Sequence, residues 1–307
     1  MCHFLPEGMG TSVHTLSEPR EALLRAIRTR EILEAPVLCC DESHNLTVDL
    51  GDGLTGILPR EEAALGIREG TVREVAILSR VGQTVCFRVE ASCGEHLFRL
   101  SRRSVQQEAL ARFFADRVPG DIIPAVVTCA NEQGAFCDVG CGLTALMGLK
   151  AVSVSRVVSA AERFSSGDRI FAVIQRMDTG CGRIYLSHRE LLGTWEENVR
   201  QFRVGQTVTG IVRSVQDYGV FIELAPNLTG LAEHTDTLQP GDGVSVYIKS
   251  IQPEKAKIKL AVVRKLPKGC VRARPIHYFR TEGHLSRWQF GPDTCPKLQS
   301  VFLTSSQ

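Results

Sequence analysis

Tyr218, Phe221 and His234 bring three flat rings into one short stretch of the chain, and Lys249, Lys257 and Lys259 follow them with three cations. Single-stranded RNA exposes flat bases and a charged backbone, so a groove that holds it needs ring faces at intervals with cations beside them. These residues are of the right types in the right order. An isolated Phe on a strand is more often core, and a surface Lys more often merely solvated. Phe221 escapes that reading because it stands between Val220 and Ile222. Strand alternation turns it away from both, to the outer face of a sheet whose two aliphatics point inward.

A rival chemistry lies in the segment Cys137-Asp-Val-Gly-Cys-Gly-Leu-Thr-Ala145, which imitates the G-x-G-x-x-A loop of a nucleotide or S-adenosylmethionine site, with Glu162 twenty residues beyond Gly142. That would make the chain an RNA methyltransferase. The motif alone is weak, because such a site needs alternating strands and helices around it. Equivalent positions elsewhere in the chain read Ala225-Pro-Asn227 and Gly51-Asp-Gly53, so the glycines are expected to shape only a turn, one in which Asn replaces Gly142 without harm. Cys137 and Cys141 suggest metal, but their counterparts are Ile222 and Pro226, and His277, His284 and Cys295 match no zinc framework. Ser187 and His188 are adjacent, which turns their side chains apart on a strand, and there is no G-x-S-x-G elbow or cluster of carboxylates. The expectation is a non-enzymatic protein with no cofactor, no metal and no small-molecule substrate.

The elements that position the rings repeat. Phe221-Ile-Glu-Leu-Ala-Pro-Asn-Leu-Thr-Gly230 recurs without a gap as Phe136-Cys-Asp-Val-Gly-Cys-Gly-Leu-Thr-Ala145 and as Thr47-Val-Asp-Leu-Gly-Asp-Gly-Leu-Thr-Gly56, at offsets of 85 and 89 residues. That period is too long for a solenoid and suits a small β domain with a connector. In the third copy an alternating run from Val204 ends in Tyr218-Gly219, Val220 to Leu224 follows, a strand takes in Leu228 to Glu233, and Val244 to Ile251 with Lys257 to Val262 form a last hairpin. Five short antiparallel strands with Gly-marked turns suit a small closed barrel, which leaves no edge exposed. Gly219, Gly134 and Asn45 precede strand two in the three copies, as types that tolerate positive φ. A helix capped by Ser17, with Pro19 in its first turn, is predicted to run to about Leu33 and pack on the first barrel.

With 307 residues, 43% of them hydrophobic, each copy can bury a core. The net charge of +2 neither demands nor forbids a polyanionic partner, but Arg264, Lys265, Lys268, Arg272, Arg274 and Arg280 share a run with no acid, interleaved with His277, Tyr278 and Phe279. Such a run suits phosphate and base contacts, and equally a solvated tail. Gly283 to Phe290, with its two large aromatics, is expected to fold back onto a barrel. The eleven cysteines are odd in number and do not recur between copies, so they read as reduced thiols. No apolar run approaches ~20 residues and no basic region leads a hydrophobic stretch at the N-terminus. A cytoplasmic protein without a membrane partner is expected.

The Gly-x-Val, Tyr-Gly-Val-Phe, Leu-x-Gly-Leu-x-x-His and Gly-Asp motifs of the third copy, in that order and spacing, resemble the ribosomal S1-type RNA-binding domain. The resemblance is strong over Gly205 to Val262, clear over Gly120 to Ser187 and weaker over Ala35 to Arg103. The whole is similar to short bacterial ribosomal S1 proteins. It implies an all-β chain of three tandem five-stranded OB-fold barrels at 35–103, 118–187 and 204–263. Helical connectors fall at 104–117 and 188–203, an N-terminal helical segment at 1–34 and a basic extension at 264–307. In this family the positions of Tyr218, Phe221, His234 and Lys257 line the RNA face, and the acid between strands four and five falls at Gln252 here. The second copy keeps Phe136, Asp178 and Arg183 but has Gln133 and Leu149 for the other two rings. The first has His44, Thr47 and Arg60 and is expected to stack little. The resemblance implies single-stranded mRNA as partner, in translation at the small (30S) ribosomal subunit. A protein-interaction scaffold and an RNA-turnover factor stay open.

Overall fold

The computed structural model describes residues 4–267, 269–271 and 275–302. Its strands close three barrels. The first comprises β1 (Leu33–Cys40), β2 (Leu46–Asp49), β3 (Thr55–Leu58), β4 (Thr84–Ser92) and β5 (Leu97–Ser101). The second comprises β6 (Ile122–Asn131), β7 (Gly134–Asp138), β8 (Thr144–Gly148), β9 (Arg169–Asp178) and β10 (Arg183–Ser187). The third comprises β11 (Thr207–Gln216), β12 (Gly219–Ala225), β13 (Leu228–Ala232), β14 (Gly243–Gln252) and β15 (Lys257–Lys265). The all-β, three-barrel expectation is borne out, with one correction to strand direction. In each barrel the third and fifth strands pair in parallel. Five strands in a closed ring cannot alternate in direction throughout, so one neighbouring pair must run parallel, and the fourth strand, antiparallel to both the first and the fifth, makes it the third and fifth.

Contacts group the chain into two compact units. One ends at Arg117 and also takes in Asp138–Thr144; the other holds Val118–Cys137 and everything from Ala145 on. In the first unit a helix spans Pro19–Thr29 and buries Leu23 and Ala26 in the core of β1 to β5, around Phe87 and Phe98. It stops earlier than expected because Arg30 takes a left-handed φ of 56°, and Leu33 already belongs to β1. The left-handed residue before β2 is His44, with φ 63°, rather than Asn45. Asn45 is tied instead through its backbone and side-chain amides to the Asp41 carboxylate, at 2.8 and 2.9 Å. Gly134 and Gly219, the counterparts of Asn45, open β7 and β12 and themselves have positive φ. A helix, Arg103–Asp116, follows β5.

In the second unit the two barrels interlock. The segment between β8 and β9 carries a one-turn helix at Ala160–Glu162, whose N-terminus is closed by a reciprocal Ser159 and Glu162 cap. From this turn Arg163 donates to Glu223 of β12 at 2.5 Å, and Arg213 of β11 donates to Glu223 at 2.6 Å and to Glu162. Asn227, in the turn between β12 and β13, accepts from the Val154 amide at 2.9 Å. It also donates to the carbonyls of Arg189 and Gly193 at 2.8 and 2.9 Å. Between β10 and β11 run a short helical turn, Arg189–Leu192, and a helix, Trp195–Val199, whose Trp195 enters the third core.

The Glu223 side chain is 3% exposed and holds two cations, so removing it strands the buried Arg163 guanidinium and leaves Arg213 with Glu162 alone. Breaking a buried pair from one side costs about 3–5 kcal/mol. Glu223→Ala is therefore expected to lower the unfolding free energy of the second unit by that amount, seen as a fall in its urea midpoint, whereas Glu196→Ala, at an exposed helical pair, leaves the midpoint unchanged.

Candidate nucleic-acid interface

The face of the third barrel is built by alternation on β12. Val220 and Ile222 are fully buried in the core and Phe221 is half-buried on the outside. Across the sheet Phe221 stands opposite Leu231 of β13, and Leu231 opposite Lys259 of β15, so ring, aliphatic and cation form one transverse row. Tyr218 is 70% exposed and meets Phe221 edge to face, with centroids 6.0 Å apart. Lys249 sits in a bulge of β14 opposite β15, and its ammonium bonds Glu233 at 2.7 Å, which holds the Glu233 carboxyl below its ordinary value. His234 gives a ring hydrogen bond to the Gln216 carbonyl at 2.7 Å and faces Asp236 at 2.9 Å. The bond to Asp236, seconded by the Gln216 carbonyl, raises its pKa above the ordinary value. Because β13 and β15 run parallel, Lys257 lies two places before Lys259, toward Thr229, while His234 lies beyond Ala232. Phe221, Lys257 and Lys259 therefore share a face, with Tyr218 against Phe221, and His234 and Lys257 stand at opposite ends of the β13–β15 pair. Gln252 pairs with Lys257 across β14 and β15.

In the second barrel Phe136 is the half-buried residue of β7, flanked by buried Ala135 and Cys137. Arg183 faces Asp178 across β9 and β10, and the Asp178 carboxylate also accepts from the Cys181 amide at 3.1 Å. A ring that sequence reasoning passed over stands beside them: Tyr185, with the Arg176 guanidinium 4.3 Å from its centroid. Alternation held the signal, since Tyr185 is two places past Arg183 on the same strand. The first barrel shows Thr47, Ile57 and Arg99 in the matching row, without a ring. Its Arg60 is bound to Glu74.

The glycine loop is a turn with its own contents. Asp138 accepts from the amides of Gly140 and Gly142 at 2.8 and 3.0 Å, which occupies the N–H groups a phosphate would need. The expectation that Asn fits at Gly142 is overturned: a Cβ there would lie 1.9 Å from Nη2 of Arg102, itself held in the first unit by Glu7. Asn227 is no guide to this place, being absent from the positive-φ residues and present for its amide. Glu162 spends its carboxylate on its own cap and on Arg213. Ser187 bonds Glu190, and His188 bonds elsewhere. Among the described residues no three His, Cys, Asp or Glu side chains gather to hold a metal ion. Among them, too, no helix is long and apolar enough to cross a membrane.

The basic run is described in part. Lys268, Arg272 and Arg274 lie outside the described residues, Lys265 pairs with Asp242 at 2.6 Å, and two of the three aromatic rings pack inward. Tyr278 stands edge-on to Phe171 and to His188, and Phe279 lies against Gly193. Further on, Trp288 and Phe290 enter the third core as anticipated, and Leu285 joins Ile122 and Val173.

Closed five-stranded barrels in tandem, with a parallel third-to-fifth pairing and an outward transverse row, define an OB-fold-like class of chain. Residues 118–189 match the S1 RNA binding domain, which bears out the resemblance read from the motifs. Among curated proteins the chain is similar to the small ribosomal subunit protein bS1 of Leuconostoc lactis, 30% identical over 179 residues, 53% of this chain and 42% of that protein. It is similar also to bS1 of Staphylococcus aureus (strain COL), 29% identical over 262 residues, 80% of this chain and 64% of that protein. The chain thus spans less than two thirds of these relatives' lengths. A solved multidomain protein with nucleic acid binding domains from Streptococcus pneumoniae aligns over 76% of this chain and 73% of its own at 16% identity, with a TM-score of 0.26.

His188 is fully buried: its Nδ1–H donates to the Val152 carbonyl at 3.0 Å, which leaves Nε2 of the neutral ring to accept from the Tyr278 hydroxyl at 2.9 Å. Burial pushes its pKa down to about 4, helped by the nearby Arg163 charge against the Val152 carbonyl. Between the ordinary value of 6.5 and about 4 the unfolded chain takes a proton that the folded one refuses. Stability is therefore full above that window and falls as pH falls through it, by about 3 kcal/mol in all. The Tm of the chain is expected to drop over this window, and the drop to shrink in His188→Gln.

Proposed function

We propose that this chain binds single-stranded RNA, without catalysis, and acts in translation by holding mRNA at the small ribosomal subunit in the cytoplasm. The observation that carries the reading is the transverse row Phe221, Leu231 and Lys259, extended by Tyr218: ring faces to stack on bases and an ammonium to meet the backbone. Similarity to bS1 over most of this chain and the S1 match at 118–189 support RNA as the partner and the ribosome as the place. The non-enzymatic part rests on the glycine loop, whose amides are used by Asp138. The second and third barrels carry the rings. The first, with Thr47 and Ile57 in place of rings and with exposed Val75 and Leu78 on its insertion, is a surface for protein contact.

Fluorescence anisotropy with an unstructured oligonucleotide tests the ranking. Phe221→Ala is expected to weaken binding by about 1–3 kcal/mol, the worth of one stacked base, and Thr47→Ala to change it little. Equal losses from the two would remove the distinction between barrels, and no binding by the unaltered chain would remove the reading itself.

A further inference from the structure

The row that carries RNA binding in the third barrel is present in the second with its chemistry rearranged. Where the third has Lys259 facing Leu231 and Ser250, the second has Tyr185 facing Leu146 and Arg176. The first barrel has Arg99 facing Ile57 and Ala91. Phe136 is the half-buried residue of β7, which neighbours β8, so the second barrel holds one ring on its second strand and another on its fifth. Its cation has moved to the fourth strand. Arg176 is exposed, and its guanidinium lies flat-ring distance from Tyr185, 4.3 Å from the centroid.

We propose that Tyr185 is a second nucleobase platform and that Arg176 occupies it only until a base arrives, resting on the reading of the chain as a single-strand RNA binder. A guanidinium is planar and stacks on aromatic faces as a base does. At an exposed site that contact is weak, weaker than a base stacked on the same ring. A base therefore displaces the guanidinium, which swings the length of its own side chain to a neighbouring phosphate. The protein loses one cation–ring contact and gains a stack and a charge pair. Tyr185 is half-buried, so its ring is supported by the barrel and needs no reordering. The second barrel then holds RNA through two rings and is no weaker a binder than the third.

The full chain and a fluorescein-labelled oligouridylate give the test. Tyr185→Leu is expected to lose about 5- to 150-fold in affinity, and Tyr185→Phe to keep it, because the ring and not the hydroxyl does the stacking. Arg176→Ala leaves the ring bare and removes one phosphate contact, so the slope of log affinity against log salt is expected to flatten by about 0.7. Tyr185→Trp reports stacking directly as quenching of its fluorescence on adding the oligonucleotide. Wild-type affinity in Tyr185→Leu, alongside a loss in Phe221→Ala, would overturn the platform and leave the RNA reading standing. So would an unquenched Trp or an unchanged salt slope in Arg176→Ala. Absence of binding by every form, the unaltered chain included, would overturn both. Melting of Tyr185→Leu at a lower temperature does not decide the matter, because the Trp and Ala variants do so without it.

Discussion

Closing a five-stranded sheet on itself divides every strand in two. Alternate residues must fill an interior too small for water, and the others are released to the outside. On β12 this division puts Val220 and Ile222 in the core and leaves Phe221 outside, and the same split on β7 isolates Phe136 between Ala135 and Cys137. Closure also removes sheet edges, so a partner must use side chains on the outer face and not main-chain pairing. The parallel third-to-fifth pairing obliges the chain to cross the barrel after its third strand. That crossing is where the copies diverge: it is short in the third barrel, and in the second it carries the helical turn that grips a neighbour.

One repeated position shows how the same place comes to do different work. Asp49, Asp138 and Glu223 occupy it in the three copies. The two aspartates are followed by Gly-x-Gly and bond the turn's own amides, Asp49 at Gly51 and Asp138 at Gly140 and Gly142. Glu223 is followed by Ala-Pro-Asn, is one methylene longer, and reaches Arg163 and Arg213 instead. Where the acid closes a turn, the turn is a local affair. Where it takes up two guanidinium groups, two barrels become one body.

What could be read from the residues alone was whatever depends on near neighbours. The three barrels followed from the repeat and from period-two alternation, and Phe221 from its two flanking aliphatics. The left-handed residue before β2 was missed by one place, because His44 and Asn45 both tolerate such turns and only the Asp41 bonds choose between them. Arg163 with Glu223, and Tyr278 with His188, join residues far apart in the chain, and no local pattern selects such partners. Gly142 misled for the same reason: its φ of 73° is one that Asn tolerates better than most side chains, yet Arg102 fills the space. Tyr185 was legible in principle, two places past Arg183 on the same strand, but the family pattern places no ring there.

The hold of Arg163 and the Val154 amide on Glu223 and Asn227 of the third barrel has a consequence for any polymer that reaches both outer faces. Once a strand is seated on one barrel, its meeting with the other is intramolecular, at an effective concentration set by a fixed span instead of by a flexible linker. Strands too short to bridge that span gain nothing from the second face, and those just long enough gain all of it. Length discrimination is thereby built into the joint between two barrels, neither of which measures length alone.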